Sequence, residues 1–171
     1  MSSQTNRSKI KYKVTIYRDT WGVPHIFGKT DADAAYGLAY ANAEDDLQNI
    51  QDALLAARGK LASVYGKDKA PNDYMVHLFE IWRKVDSRYE TDLSSATKKI
   101  CEAYADGINQ YILDNPGEAL PGVYPVTGKD LVAGFVHKTP LFFGVQNFLK
   151  KMMERKPEEF KSNTSWWEDH Q

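Results

Sequence analysis

The order of apolar and polar residues predicts a short extended start. Val14 and Ile16 alternate with polar neighbours within residues 12–18, which is the period of a half-buried strand. A second extended piece is predicted at residues 25–27, because Pro24 biases the residue before it away from helix. Two strands are too few for a stable sheet. The pattern therefore predicts a chain that completes its sheet with another polypeptide.

A long helix is predicted from Thr30 to about Arg58. Thr30 followed by Asp33 is a capping box in which the shorter acid replaces Glu. Gly59 is a plausible C-terminal stop. Small residues in the early turns of this helix indicate that another element packs closely against it. The alternative is that these residues are there only because they favour helix formation. The larger apolar residues fall on one stripe: Leu38, Leu47, Ile50 and Leu54.

Further apolar spacings predict more helices. A short segment over residues 61–65 ends at Gly66, and one helix is predicted over residues 74–85. Another is predicted over residues 96–112, closed by the turn-forming residues 115–117. The chain is thus predicted to be mostly helical.

The last predicted helix carries a proline and an aromatic pair. Thr127 and Asp130 form another variant capping box before a helix over residues 131–138, which Pro140 is expected to interrupt. Two adjacent aromatic residues follow at 142–143. This segment is interpreted either as a kinked core helix or as a pocket wall that presents flat apolar surface to a ligand.

Composition excludes some partners. The 171 residues include 22 basic and 23 acidic side chains, for a net charge of −1. No basic surplus points to nucleic acid, and no apolar run approaches the roughly 18 residues of a membrane span. Cys101 is the single cysteine, so no internal disulfide forms. The polar, basic start predicts no secretory signal and leaves the compartment open.

The residues themselves show no familiar catalytic constellation. Sequence motifs of serine hydrolases, zinc proteases, thiol redox proteins and phosphate-binding loops are absent, and the four histidines have no metal-type spacing. The acids at 44–46 are either a cation or polar-substrate site or a solvated face with one buried acid. Cys101 is interpreted as a core thiol. Basic residues at 58–60 are assigned to the dipole of the preceding helix.

Five segments, in order, resemble the alpha chains of the penicillin and cephalosporin acylases. The resemblance covers roughly residues 14–145. The segments are Tyr17–Ile26, Tyr36–Asp46, Ala57–Lys60 with Tyr65–Gly66, Tyr104–Asn109, and Leu120–Pro121 followed by Pro125–Ala133.

The resemblance implies an α+β fold. It is a mostly helical alpha chain that contributes edge strands and helices to an αββα N-terminal-nucleophile hydrolase sandwich, completed by a beta chain. It further implies a self-cleaving precursor and an obligate heterodimer. The nucleophile is then the N-terminal serine of the beta chain, and no catalytic residue is expected here. Residues 1–11 are predicted to be a flexible arm, 12–153 a single domain, and 154–171 a tail near the processing region. The resemblance also implies a periplasmic or secreted enzyme, with the cytoplasm as the alternative.

The same resemblance assigns substrate-binding residues to Leu141, Phe142, Phe143 and Val145. Relatives carry a tyrosine or an arginine in this neighbourhood, whereas this sequence has neither. The expected substrate is therefore a small N-acyl compound with an apolar acyl group, such as an acyl-homoserine lactone or a lipopeptide. A beta-lactam side-chain acylase is the alternative, and a non-catalytic helical interaction module is the alternative of another class. No cofactor and no metal are expected, because the helix that binds calcium in some relatives has no acid here before Glu154.

Overall fold

The computed structural model describes residues 11–145, 147–148 and 151. The chain forms two compact units, Met1–Phe135 and Val136–Gln171. The predicted arm, domain and tail stay predictions, since the arm and the tail lie almost wholly outside the described residues.

The elements, in chain order, are β1 Val14–Arg18, β2 Pro24–Gly28, α1 Asp31–Arg58, α2 Leu61–Tyr65, a 3₁₀ turn Lys67–Lys69, α3 Ala70–Leu78, α4 Ile81–Asp92, α5 Ser95–Asp114 and α6 Gly128–Phe142. The mostly helical α+β class is confirmed.

The two predicted extended segments are strands, and they pair with each other. β1 and β2 are antiparallel, with Ile16 opposite Ile26 in the register. Their inner side packs on α1 at Gly37, where an added Cβ would overlap Val14 and lie 2.9 Å from Ile26 Cγ2. The glycine is what lets the hairpin lie directly on the helix.

Helix α1 begins and ends as predicted. The Thr30 hydroxyl accepts from the Asp33 amide, and the Asp33 carboxylate accepts from the Thr30 amide. Asp33 is also buried and accepts from the Lys13 amide at 2.8 Å. The hydrogen bonds from Lys13 and Thr30 hold the pKa of Asp33 below its ordinary range. Gly59 closes the helix in the left-handed region, with φ 64°.

The prediction of one unbroken helix over this stretch was wrong in one respect. Asp46 has non-helical backbone angles, φ −159° and ψ 67°. Its carboxylate accepts from the Asn49 amide at 3.2 Å, the bond of an N-cap residue. Asp46 therefore starts a second helical stretch within α1, which apolar periodicity could not reveal.

The core of the first unit forms where α1 packs against α5. Small residues line the contact, and Ala39 and Gly107 lie at its closest point. The prediction that the alanine-rich turns of α1 admit another element is confirmed. The core residues are Ala39, Ala43, Leu47, Leu54, Leu55, Ala105, Ile108, Ile112, Val123 and Val126.

The helix predicted over residues 74–85 is two helices. α3 ends at Leu78 and α4 begins at Ile81, with Glu80 between them in the left-handed region at φ 50°. Met75 and Ile81 are both buried. Tyr74 and Leu78, which belong to the apolar spacing that predicted one helix, are exposed. The spacing therefore shows neither the buried face of α3 nor the break in the backbone.

Helix α6 runs through Pro140 and ends at Phe142, so the predicted interruption before the proline was wrong. Proline lacks its own backbone donor but leaves the donors of later residues intact. At the end of the helix the backbone hydrogen bonds span three residues instead of four. The Phe143 amide donates to the Pro140 carbonyl at 3.1 Å, and the Gly144 amide donates to the Leu141 carbonyl at 3.0 Å. Gly144 takes φ 73° to leave the helix.

Candidate functional site

The predicted substrate-binding residues lie at the C-terminal end of α6 and just beyond it. Phe142 and Phe143 are 87% and 82% exposed, whereas Leu141 and Val145 are half-buried. None of the four carries a polar side-chain atom. This short segment therefore presents an open aromatic surface that could contact an apolar group, and its role as a binding site stays a prediction.

The turn between β1 and β2 is built on Asp19. One carboxylate oxygen accepts from the Trp21 amide at 2.8 Å and the Val23 amide at 3.0 Å, and the other lies 3.1 Å from His25 Nε2. His25 and these amides keep the pKa of Asp19 below its ordinary range. Gly22 completes the turn at φ 81°. Asp19 lies in Tyr17–Ile26, the first of the five segments that carry the family resemblance. The sequence did not predict that the carboxylate of Asp19 holds the turn together.

The acidic cluster on α1 joins the hairpin to that helix. Arg18 Nη2 lies 2.6 Å from a Glu44 oxygen and 2.8 Å from an Asp45 oxygen. Asp46 is the internal cap described above. All three acids are exposed, so the expectation of one buried acid within this cluster was wrong. The solvated-face interpretation accounts for them, because an exposed carboxylate keeps its hydration while it pairs.

The buried acid with a cationic partner lies elsewhere, at the start of α6. Asp130 is 3% exposed, and one of its oxygens accepts from Arg58 Nε at 2.7 Å. The other oxygen accepts from the amide and hydroxyl of Thr127, so the predicted pairing at this helix start is present. The expectation that Arg58 only complements a helix dipole missed this partner, because 72 residues separate the two.

Arg58 also binds the loop before α6. Its guanidinium donates to the carbonyls of Gly122 and Val123 at 2.6 Å each and of Pro125 at 2.9 Å. These bonds leave little of its donor capacity for a ligand. The open groove beside it has a volume of about 560 Å³ and is also lined by Lys60, Trp82, Gly122, Tyr124, Pro125, Thr127 and Asp130.

The remaining reactive side chains give no metal site in the part of the chain that the structure describes. There, no group of three or more His, Cys, Asp or Glu residues is placed to hold an ion, and Glu154 lies outside it. Burial and the nearby Glu102 raise the pKa of the half-buried Cys101 thiol. A raised pKa keeps a thiol protonated and unreactive, as expected of a core cysteine. Among the described helices, none is long and apolar enough to cross a membrane.

These features can be compared with known proteins. The family profile described as penicillin amidase matches residues 13–166, and the chain belongs to the penicillin amidase family. It is 31% identical over 117 residues to the penicillin acylase 2 proenzyme of Pseudomonas sp. (strain SE83), a match that covers 68% of this chain and 15% of that protein. It is 30% identical over 119 residues to the penicillin G acylase of Escherichia coli, covering 68% and 14%.

A second group of relatives has another named substrate. The chain is 30% identical over 99 residues to the acyl-homoserine lactone acylase QuiP of Pseudomonas fluorescens (strain Pf-5), covering 58% of this chain and 12% of that protein. Among solved structures, it matches the thermostable penicillin G acylase of Alcaligenes faecalis with a TM-score of 0.60 and 29% identity, covering 77% and 74% of the two chains. The matched segment is thus about an eighth to a seventh of the curated relatives' length.

Proposed function

We propose that this chain is the alpha subunit of a self-processed heterodimeric hydrolase that cleaves the linear amide of an N-acyl compound with an apolar acyl group. Membership of a family whose named relatives include acylases for penicillins and for acyl-homoserine lactones supports the reaction class. The word proenzyme in one relative's name supports processing. The matched fraction of the relatives leaves ample length for a second chain.

The nucleophile in this proposal is the N-terminal serine of the beta chain. Amide hydrolysis needs a base within hydrogen-bond reach of the nucleophile and donors for the oxyanion of the tetrahedral intermediate. The free amino group of such a serine would be the base. This chain would contribute binding surface and not reacting groups, so its residues should affect substrate choice more than the bond-breaking step.

One observation carries the preference for an apolar acyl group. Phe142 and Phe143 stand exposed at the end of α6, and neither they nor Leu141 and Val145 have a donor for a charged tail. A carboxylate placed on such a surface would lose its hydration without a replacement partner. Acyl-homoserine lactones and lipopeptides carry acyl chains that need no such partner.

A beta-lactam side-chain acylase is the second candidate. Penicillin acylases are among the relatives at 30% identity or more, and one of the solved structures that the chain matches is a penicillin G acylase. The two candidates share the amide bond that is cut and differ in the acyl and leaving groups. A substrate series that varies both groups separates them.

The test is the dependence of kcat/KM on acyl length in the assembled enzyme. Phe143→Ala should lower kcat/KM for medium acyl chains or move the optimum to bulkier ones, because each buried methylene is worth about 0.8 kcal/mol. Phe143→Tyr should recover some activity on acyl groups that end in a carboxylate, since the hydroxyl supplies a donor. Discrimination between neighbours that differ by one methylene should stay within about 1–3 kcal/mol.

Phe135→Ala is the matched control, because Phe135 is also on α6 and is 78% exposed. Its profile over acyl length should follow that of the wild type. Superimposable profiles for wild type and both Phe143 variants would mean that the end of α6 does not contact the acyl group. Absence of any amide hydrolysis by the assembled wild type would remove the enzyme proposal itself.

A further inference from the structure

The open groove beside Arg58 has no role in the proposed function. It is lined by the end of α1, the first turn of α4 and the loop that precedes α6. Its volume of about 560 Å³ lies within the range of about 300–1,000 Å³ that ligand pockets occupy. Such pockets combine apolar or aromatic walls with a few well-placed polar groups. The groove has both.

Trp82 supplies a fixed aromatic wall. It is half-buried in the first turn of α4, and its indole N–H donates to the Ala57 carbonyl at 3.0 Å. That carbonyl belongs to the last turn of α1, where carbonyls have no partner within their own helix. Since its N–H is already bonded, the indole offers only apolar surface to the groove. The polar part of a ligand must therefore be held by other residues.

The loop that carries Tyr124 is fixed on both sides of that residue. Arg58 binds the carbonyls of the residues directly before and after Tyr124. The Asn109 side chain binds the amide of Val126 at 2.8 Å and its carbonyl at 2.7 Å. Tyr124 is 48% exposed and lines the groove, and its hydroxyl has no partner in the described part of the chain. A ring on a fixed backbone loses little conformational entropy when it binds a ligand.

The charges along the groove favour an anion. Arg58 and Asp130 both line it, but they form an ion pair at 2.7 Å and offset each other. The other charged lining residue is Lys60, which is exposed and whose ammonium group has no partner among the described residues. Its backbone is fixed, since its amide donates to the Leu55 carbonyl at 2.9 Å and its carbonyl accepts from the Ser63 amide at 3.2 Å. The groove thus holds one uncompensated positive charge beside aromatic walls.

We propose that this groove binds a small carboxylate that carries a flat ring, with the ring against Trp82 and the carboxylate on the Lys60 ammonium. Aromatic rings attract one another beyond the effect of the area they bury. The Tyr124 hydroxyl is available as a second donor to the carboxylate. A bare inorganic anion would leave the aromatic walls unused, and an uncharged ring would desolvate Lys60 without giving it a partner. The proposal goes beyond the proposed function and does not depend on it, because binding requires no amide cleavage.

The test is fluorine NMR of the protein purified from its natural reading frame, with 5-fluorotryptophan in place of tryptophan. The Trp82 signal is identified by its loss in Trp82→Phe. We expect 2-naphthoate to move that signal in a saturable way, with a Kd of roughly 1 mM for a ligand of this size. The alcohol 2-naphthalenemethanol has the same ring without the charge and should bind about 10-fold more weakly.

Variants of Lys60 test the assignment of the carboxylate. Lys60→Met should weaken the binding of 2-naphthoate by about the same 10-fold and leave that of the alcohol unchanged, whereas Lys60→Arg should restore most of it. Lys67→Met is the matched control, because Lys67 is also exposed and lies on the 3₁₀ turn, outside the groove lining. Its Kd for 2-naphthoate should equal that of the wild type.

Two results on the wild type alone would overturn the binding site, so its test does not depend on any variant folding. One is a Trp82 signal that 2-naphthoate leaves unmoved, which is also the result if another chain covers the groove. The other is equal affinity for 2-naphthoate and the alcohol. A Kd that Lys60→Met leaves unchanged would likewise overturn it. Each of these results leaves the proposed amide hydrolysis standing, since that reaction is measured separately.

Discussion

At the scale of single residues, the ion pair of Arg58 with the buried Asp130 joins three segments of the first unit. Asp130 begins α6 and binds Thr127, while Arg58 ends α1 and binds the loop over residues 122–125. A buried pair stabilises only if nearly all of its hydrogen-bonding capacity is used. That condition is met here, so the loop, the end of α1 and the start of α6 depend on one another.

We therefore expect Asp130→Asn to destabilise the protein by about 3–5 kcal/mol, because it leaves the Arg58 charge, whose side chain is 12% exposed, without its buried partner. The measurement is the free energy of unfolding in urea, with kcat/KM recorded alongside. Lys129→Met is the control, since Lys129 pairs with Asp86 on the exposed surface at 2.8 Å and such pairs contribute at most about 1 kcal/mol. Equal losses from the two variants would show that burial of the Arg58 pair does not matter.

At the scale of elements, the contact between α1 and α5 depends on the absence of a side chain. A Cβ on Gly107 would overlap the Tyr36 carbonyl oxygen and lie 2.8 Å from Ala39 Cβ. The obstacle is backbone and a methyl group, neither of which can rotate away. The two helices would have to separate along their core contact.

Gly107→Ala is expected to destabilise the protein by about 1–3 kcal/mol through this overlap, despite the better helix propensity of alanine. Gly134→Ala is the matched control, because Gly134 is also helical and its added Cβ would meet nothing within 4 Å in the described chain. That change should be neutral or stabilising by up to about 1 kcal/mol. Urea unfolding of both variants makes the comparison. Equal stability of the two would contradict the close packing of α1 on α5.

At the scale of the whole molecule, the described chain leaves unusually many large apolar side chains in solvent. They lie on the hairpin, on the outer turns of several helices and at the end of α6. Those more than half exposed are Tyr17, Trp21, Val23, Phe27, Tyr74, Leu113, Phe135, Phe142, Phe143 and Phe148. A two-stranded sheet adds little stability by itself.

Expressed without a partner, the chain should aggregate or form a compact state that lacks fixed side-chain packing. Its near-ultraviolet circular dichroism should then be weak while the far-ultraviolet signal of the helices persists. The same chain within the heterodimer proposed above is the control and should give sharp near-ultraviolet bands. A cooperative thermal transition of the isolated chain, with strong tertiary signals, would show that it folds alone.

Most of the local elements can be predicted from the order of residues alone. Alternation predicted β1, the Pro24 context predicted β2, the Thr30 and Asp33 pair predicted the start of α1, and Gly59 predicted its end. Each of these signals acts over a few residues, through side-chain period or a cap bond, and can be read without knowing the fold. The family resemblance also came from ordered local segments, and the family match confirms it.

Contacts between residues far apart in sequence become visible only in the folded chain. The partner of Arg58 is 72 residues away, and Gly107 is required because Tyr36 passes beside it. The break at Glu80 was also hidden, since the apolar spacing continues from Tyr74 and Leu78 on α3 to Ile81 and Val85 on α4. Periodicity records which side of an element is apolar. It contains neither the distance to another element nor the partner of a buried charge, because those follow from how the helices pack.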